Sequence, residues 1–149
     1  MTLHKPQRLS QPAAPGALLK RAVNLHNIMR MRLIEPERDE AYLELIRQLP
    51  CLKCMMEPCG EASHTRISSA AFNKRGGMGK KPADRFAVPL DHGCHVRDPD
   101  ALHRIGEYIF WANLGINPLL VAERLYGVRG DLVAMRAVVL QAISERGTK

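Results

Sequence analysis

Aromatic side chains are scarce. One Trp, three Tyr and three Phe make up 5% of the 149 residues, which excludes a core built mainly from large rings. No run of about 18 apolar residues occurs, so no membrane-spanning helix is expected. The N-terminus lacks an apolar segment leading into a small-residue cleavage site, so no secretion signal is expected either. A soluble, intracellular protein is the resulting expectation. Acidic residues are absent from positions 1–32, where six Lys or Arg stand. No internal repeat is present. The run Gly76–Gly79 does not meet the G-x-x-x-x-G-K-[ST] spacing, which excludes a P-loop.

Positive charge is abundant. The net charge is +7 and the isoelectric point about 9.6, which puts polyanions first among partners. The charge is unevenly placed. Residues 65–85 hold six cations (Arg66, Lys74, Arg75, Lys80, Lys81 and Arg85) against the single acid Asp84. Residues 105–149 are nearly balanced. All four cysteines (Cys51, Cys54, Cys59, Cys94) and four of six histidines (His64, His92, His95, His103) lie in the middle third. Without an export signal, clustered Cys and His favour a metal over disulfides.

The length suits one domain with appended segments. Residues 1–34, with three prolines and no apolar periodicity before Gly16, read as a basic and partly disordered arm. Residues 35–149 read as one domain, with a core at 51–104 and a helical cap at 105–149. Pro36 suits the first turn of a helix whose buried face is Tyr42, Leu45, Ile46 and Leu49, and Pro50 ends it. A short strand is predicted at 61–67 and a loop at 68–84. Phe86, Val88 and Leu90 alternate with Arg85, Ala87 and Pro89, which predicts a second strand with one buried face. A helix should begin near Asp91–Cys94 and break at Asp98-Pro99-Asp100. It should then restart with Asp98 or Asp100 as its cap, placing Leu102, Ile105 and Ile109 on one face. Asn117-Pro118 opens a further helix that Gly127 stops. Asp131 caps the last, with Leu132, Met135, Val139 and Ile143 as its core stripe.

Cys51-Leu52-Lys53-Cys54 is a C-x-x-C, a spacing that lets two thiolates grip one metal from a tight knuckle. The βαβ context of a thioredoxin-like site is missing. Cys94, in Leu90-Asp91-His92-Gly93-Cys94-His95, supplies a third sulfur some forty residues on. A knuckle paired with a helix start is the treble-clef arrangement of a structural zinc. Asp91 is the first choice for the fourth ligand, with Cys59 or His92 as substitutes. The fold class expected is α+β: a small treble-clef or ββα-metal core flanked by N- and C-terminal helices.

The run from Cys51 to His103 resembles the HNH, or ββα-metal, endonucleases. Ala62-Ser63-His64-Thr65-Arg66 looks like their first strand motif. Asp84-Arg85-Phe86-Ala87-Val88-Pro89-Leu90 looks like the second, and Cys94-His95 like the helix opening. The likeness is closest to phage-encoded Ref-type RecA-dependent nucleases, with which the chain also shares Gly77-Met78-Gly79-Lys80-Lys81-Pro82 and Gly106-Glu107 followed by Phe110-Trp111. The resemblance implies a phage-derived, metal-dependent DNA endonuclease acting in recombination or repair in the cytoplasm of a bacterial host cell. A RecA-type recombinase filament becomes a second candidate partner beside DNA. His64 matches the general base, a role imidazole suits because it titrates near physiological pH. His95 matches a ligand of a catalytic Mg2+ or other divalent ion, and His103 a second ligand. Asp84 is either a further ligand or the group that orients His64. Arg66, Lys74, Arg75, Lys80, Lys81 and Arg85 would hold phosphates by charge. The chain departs from the family in three places. Ser63 stands where many members have Asp or His, the middle Asn has no clear match near Phe86, and Asp98-Pro99-Asp100 lengthens the interval between the helix histidines. The alternative function is a non-catalytic zinc-containing DNA-binding accessory protein.

Overall fold

Asp39 sets the start of the first helix. Its side chain accepts a hydrogen bond from the Tyr42 amide at 3.1 Å, satisfying one of the donors that a helix start leaves without a partner. This computed structural model describes residues 38–75 and 81–146, all within the unit Pro36–Lys149. The arm expected at 1–34 and the segment 76–80 lie outside the described residues. Helix α1 (Glu40–Gln48) buries Tyr42, Leu43 and Ile46. Leu43 therefore takes a core place that the sequence pattern gives to Leu45, which is only half-buried. Leu49 leaves the helix with extended backbone ahead of Pro50, as a residue before proline prefers.

Strand β1 (Gly60–His64) pairs antiparallel with β2 (Ala87–Asp91), Gly60 opposite Asp91 and His64 opposite Ala87. β1 is shorter than the 61–67 expected. The Thr65 amide still reaches Phe86 O at 3.0 Å, but the chain then turns into a tight loop where Ser69 and Lys74 exchange two backbone bonds of 2.9 Å. β2 does not alternate as expected either. Ala87, Val88, Pro89 and Leu90 are all buried, and successive strand residues face opposite ways, so both faces of β2 are covered. Helices α1 and α4 (Pro118–Gly127) both pack against it. Tyr42 of α1 also donates its hydroxyl to Ala87 O at 3.2 Å.

After β2 the chain forms a π-helical turn, Gly93–Arg97, and stops at Asp98. Helix α2 (Leu102–Ile105) restarts with Ala101 as its cap, so neither expected aspartate caps it. Both are otherwise engaged: Asp98 O accepts the Ala101 amide, and the Asp100 carboxylate pairs with Lys53. Gly106, at φ +90°, separates α2 from α3 (Glu107–Leu114), a backbone conformation that side chains with a Cβ disfavour. The break resets the helical register. Ile109 is left 57% exposed, and Phe110 and Trp111 enter the core instead. Asn117 caps α4 through the Leu119 and Leu120 amides. Asp131 caps α5 (Leu132–Glu145) through Ala134. Met135, Val139 and Ala142 make the buried stripe of α5, whereas Leu132 lies at the surface. Among the described residues, five α-helices and one two-stranded sheet thus make a mixed α+β fold around a single hydrophobic cluster.

Candidate metal centre and histidine cluster

The sulfurs of Cys51, Cys54 and Cys94 lie within 4.8 Å of one another. Backbone geometry brings them there. The Lys53 amide donates to Cys51 Sγ at 3.4 Å. The Met55 amide bonds Cys51 O, with Met55 at φ +64°, closing a tight knuckle. The Leu52 amide bonds Pro89 O and pins the knuckle to β2, whose end delivers Cys94. Two longer-range contacts brace it: Lys53 Nζ to Asp100 at 2.6 Å, and Arg146 Nη1 to the Leu52 and Lys53 carbonyls at 2.9 and 2.8 Å. Cys51 and Cys94 are buried and Cys54 is exposed. Three sulfurs at this spacing can hold a metal ion such as zinc, whose structural sites are rich in thiolate.

No fourth Cys, His, Asp or Glu joins the group among the described residues. Asp91 Oδ2 instead accepts the Gly93 amide at 2.8 Å. The Cys59 thiol points toward the Ile46 and Glu61 carbonyls, both at 3.3 Å, and burial pushes its pKa up to about 11. His92 is bonded to Glu61 at the surface.

The histidines form two groups. His64 Nε2 lies 2.7 Å from Asp84 Oδ1. Asp84 is 2% exposed, and its other contacts are the Asp39 amide at 2.8 Å and Arg38 at 3.0 Å. Burial works against its charge, but the Asp39 amide, His64 and Arg38 outweigh it and hold the carboxyl below the usual aspartate range. Asp84 is therefore ionised at neutral pH and fixes one ring nitrogen of His64. Of the expected site residues, Asp84 and His64 are thus brought into direct contact. A group whose folded pKa is depressed contributes stability above its unfolded pKa, and this is lost as pH falls through the carboxylate range. Asp84→Asn is expected to lower stability at neutral pH and to flatten that acid limb. Urea unfolding midpoints measured across the acid range check both effects.

The second group centres on His95. Its Nε2 lies 3.2 Å from Ser63 Oγ and its Nδ1 2.6 Å from Glu61 Oε2. The His103 ring stacks beside it at 4.6 Å, tilted by 34°. Partial burial, with His95 and Arg66 nearby, holds His103 below the ordinary histidine value, which keeps its imidazole neutral. Ser63 and His64 are consecutive on β1, so one strand end carries contacts to both groups. Glu107 braces the exit of that strand: Thr65 Oγ1 donates to it, and the Arg66 amide reaches both its oxygens at 3.0 and 2.9 Å.

Of the expected cationic residues, Arg66, Arg75 and Lys81 are exposed, and Arg85 is half-buried against the rings of Phe86 and Tyr126. Lys74 is buried, with Nζ 5.4 Å from the Phe86 ring centre. Ser68, Ser69, Ala70, Asn73, Lys74 and Arg75 line a surface cavity of about 560 Å3, none of these described residues being acidic. Lys80 lies outside the described residues.

Three residues of the site, Glu61, Glu107 and Arg38, are given no role by any sequence motif. Glu61 is detectable in part, because it stands two residues before Ser63 and a strand places both on one face. Glu107 stands in the shared Gly106-Glu107 run, but its contacts, like those of Arg38, span about forty residues of chain, and no local pattern indicates them. No protein-family model, curated protein or solved structure matches the chain.

Proposed function

We propose that the chain is a metal-dependent DNA endonuclease of the HNH, or ββα-metal, type. The observation that carries this reading is the His64–Asp84 pair placed one residue along β1 from the contact between Ser63 and His95, with His103 stacked behind. The three-thiol knuckle is read as a structural zinc site in a treble-clef setting, holding the start of the His95 turn in place.

In this reading Asp84 accepts the Nε2 proton of His64, which leaves Nδ1 as the basic nitrogen. Nδ1 takes a proton from water. The hydroxide so formed adds to phosphorus, and the bond to one ester oxygen breaks, that oxygen leaving with the electron pair and taking a proton from solvent. His95 and His103 would hold a divalent cation, which when bound supplies stabilisation of the charge on the phosphate and leaving oxygens. Two imidazoles suit a later first-row transition ion better than Mg2+, which favours oxygen ligands. Arg66, Arg75 and Lys81, with the neighbouring Lys80, would bind backbone phosphates without reading bases.

The test is strand scission of supercoiled plasmid by zinc-loaded protein. Nicking that requires added Mn2+ or Mg2+ supports the proposal. DNA binding without scission in every divalent ion rejects it in favour of a binding module. A second expectation concerns affinity alone. Lys80→Ala combined with Lys81→Ala should weaken binding about equally for unrelated sequences. The slope of log affinity against log salt should fall by roughly 0.9 for each phosphate that is no longer neutralised. Fluorescence anisotropy at several salt concentrations checks it, and unchanged affinity would put the DNA-binding surface elsewhere.

A further inference from the structure

His95 is held by both ring nitrogens, and both partners come from one face of β1. Glu61 and Ser63 stand two residues apart on that strand. Glu61 Oε2 lies 2.6 Å from Nδ1, and Ser63 Oγ lies 3.2 Å from Nε2. The other oxygen of the same carboxylate lies 2.6 Å from Nδ1 of His92. One acidic side chain therefore spans two imidazoles, His92 being 60% exposed and His95 18%.

An ionised carboxylate can only accept hydrogen bonds. In the neutral imidazole Nδ1 of His95 must then carry the proton, which leaves the lone pair on Nε2, the nitrogen facing Ser63. A hydroxyl either donates or accepts, so Ser63 adapts to whichever tautomer is present and cannot select one. We infer that Glu61 is the positioning residue that fixes the tautomer and orientation of His95, through the Oε2–Nδ1 contact, so that Nε2 serves as the metal-binding nitrogen. This rests on the proposed role of His95 as a ligand of the catalytic ion. The bond to His92 tethers the outer side of the same carboxylate and limits its rotation. A carboxylate behind a ligating histidine raises the basicity of that ligand and fixes its direction, and removing such a partner costs about 10–100-fold in metal affinity. Sequence motifs alone give Glu61 no role, and His92 only that of a spare zinc ligand.

The experiment uses the zinc-loaded full chain and two readouts. Long-range 1H–15N correlation of the histidine rings reports the His95 tautomer. Titration with Mn2+ in the absence of DNA reports binding. The wild type should show His95 protonated on Nδ1. Glu61→Ala should move His95 toward the Nε2-protonated form and weaken Mn2+ binding by about 10–100-fold, with zinc content retained. Glu61→Gln, whose amide can present either an acceptor or a donor to Nδ1, should leave the two tautomers mixed, and serves where the alanine variant fails to fold. Ser63→Ala and His92→Ala should both leave the tautomer unchanged. A wild-type His95 protonated on Nε2, or a tautomer that ignores Glu61→Ala but responds to Ser63→Ala, overturns the inference. If the tautomer follows Glu61 while the wild type binds no Mn2+, the positioning role stands and the catalytic-metal reading falls.

Discussion

Removing zinc from the site proposed at Cys51, Cys54 and Cys94 is expected to unfold much of the protein. Metal analysis of freshly purified chain should find about one zinc per molecule, since one cluster of thiols is present among the described residues. The cluster joins the knuckle to the turn that follows β2, and the knuckle in turn meets β2 and α5 through Leu52, Lys53 and Arg146. Structural zinc contributes an apparent ~10–16 kcal/mol in small zinc-finger peptides, as large as the whole ~5–15 kcal/mol stability of an ordinary domain. Leu125 of α4 and Met135 and Val139 of α5 are buried on helices far in sequence from the thiols, so partial helical structure should survive. A strong chelator, or Cys94→Ala, is expected to lower the thermal midpoint by more than about 10 °C, the shift that removing several kcal/mol produces in a domain of this size. Cys59→Ala should keep its zinc, because its thiol faces backbone carbonyls outside the cluster. Metal-free protein with an unchanged midpoint would contradict the structural role.

The parts of this molecule legible in the sequence are those governed by local rules. The caps Asn117 and Asp131 and the C-x-x-C knuckle depend on residues within a few positions of one another, and each lies where its pattern indicates. The misplaced features depend on the rest of the fold. One helical register extended through Gly106 puts Ile109 on a core face, but the positive φ of that glycine resets the register. β2 reads as one-sided, yet α1 and α4 cover it from sequence positions well before and after. Asp98 and Asp100 have the pattern of caps, but Lys53, far away in sequence, takes Asp100. The same divide runs through the site. The histidines are visible as a cluster of residue types. The carboxylates that orient them, Glu61 for His95 and Asp84 for His64, act through strand pairing and long-range contacts. Of these, only Asp84 stands out from its sequence context.

Replacing His64 by alanine should slow DNA cleavage by about 10^2–10^4-fold, the contribution typical of a positioned general base. The fold should tolerate the change. His64 ends β1 with its side chain 17% exposed and contacts Asp84, which keeps its bonds to the Asp39 amide and Arg38. DNA affinity should also hold, since the cations proposed to bind phosphate lie elsewhere. Asp84→Asn should slow cleavage as well, because an amide can present either a donor or an acceptor to Nε2 and no longer selects one tautomer. The decisive measurement for the nuclease reading compares wild type and His64→Ala side by side. Both are assayed on one supercoiled plasmid, at protein concentrations that saturate it, with reactions started by Mn2+. Nicked and then linear product is expected from the wild type, and almost none from His64→Ala at equal DNA occupancy. Equal cleavage by the two proteins, or none by the wild type in any divalent ion, would contradict it.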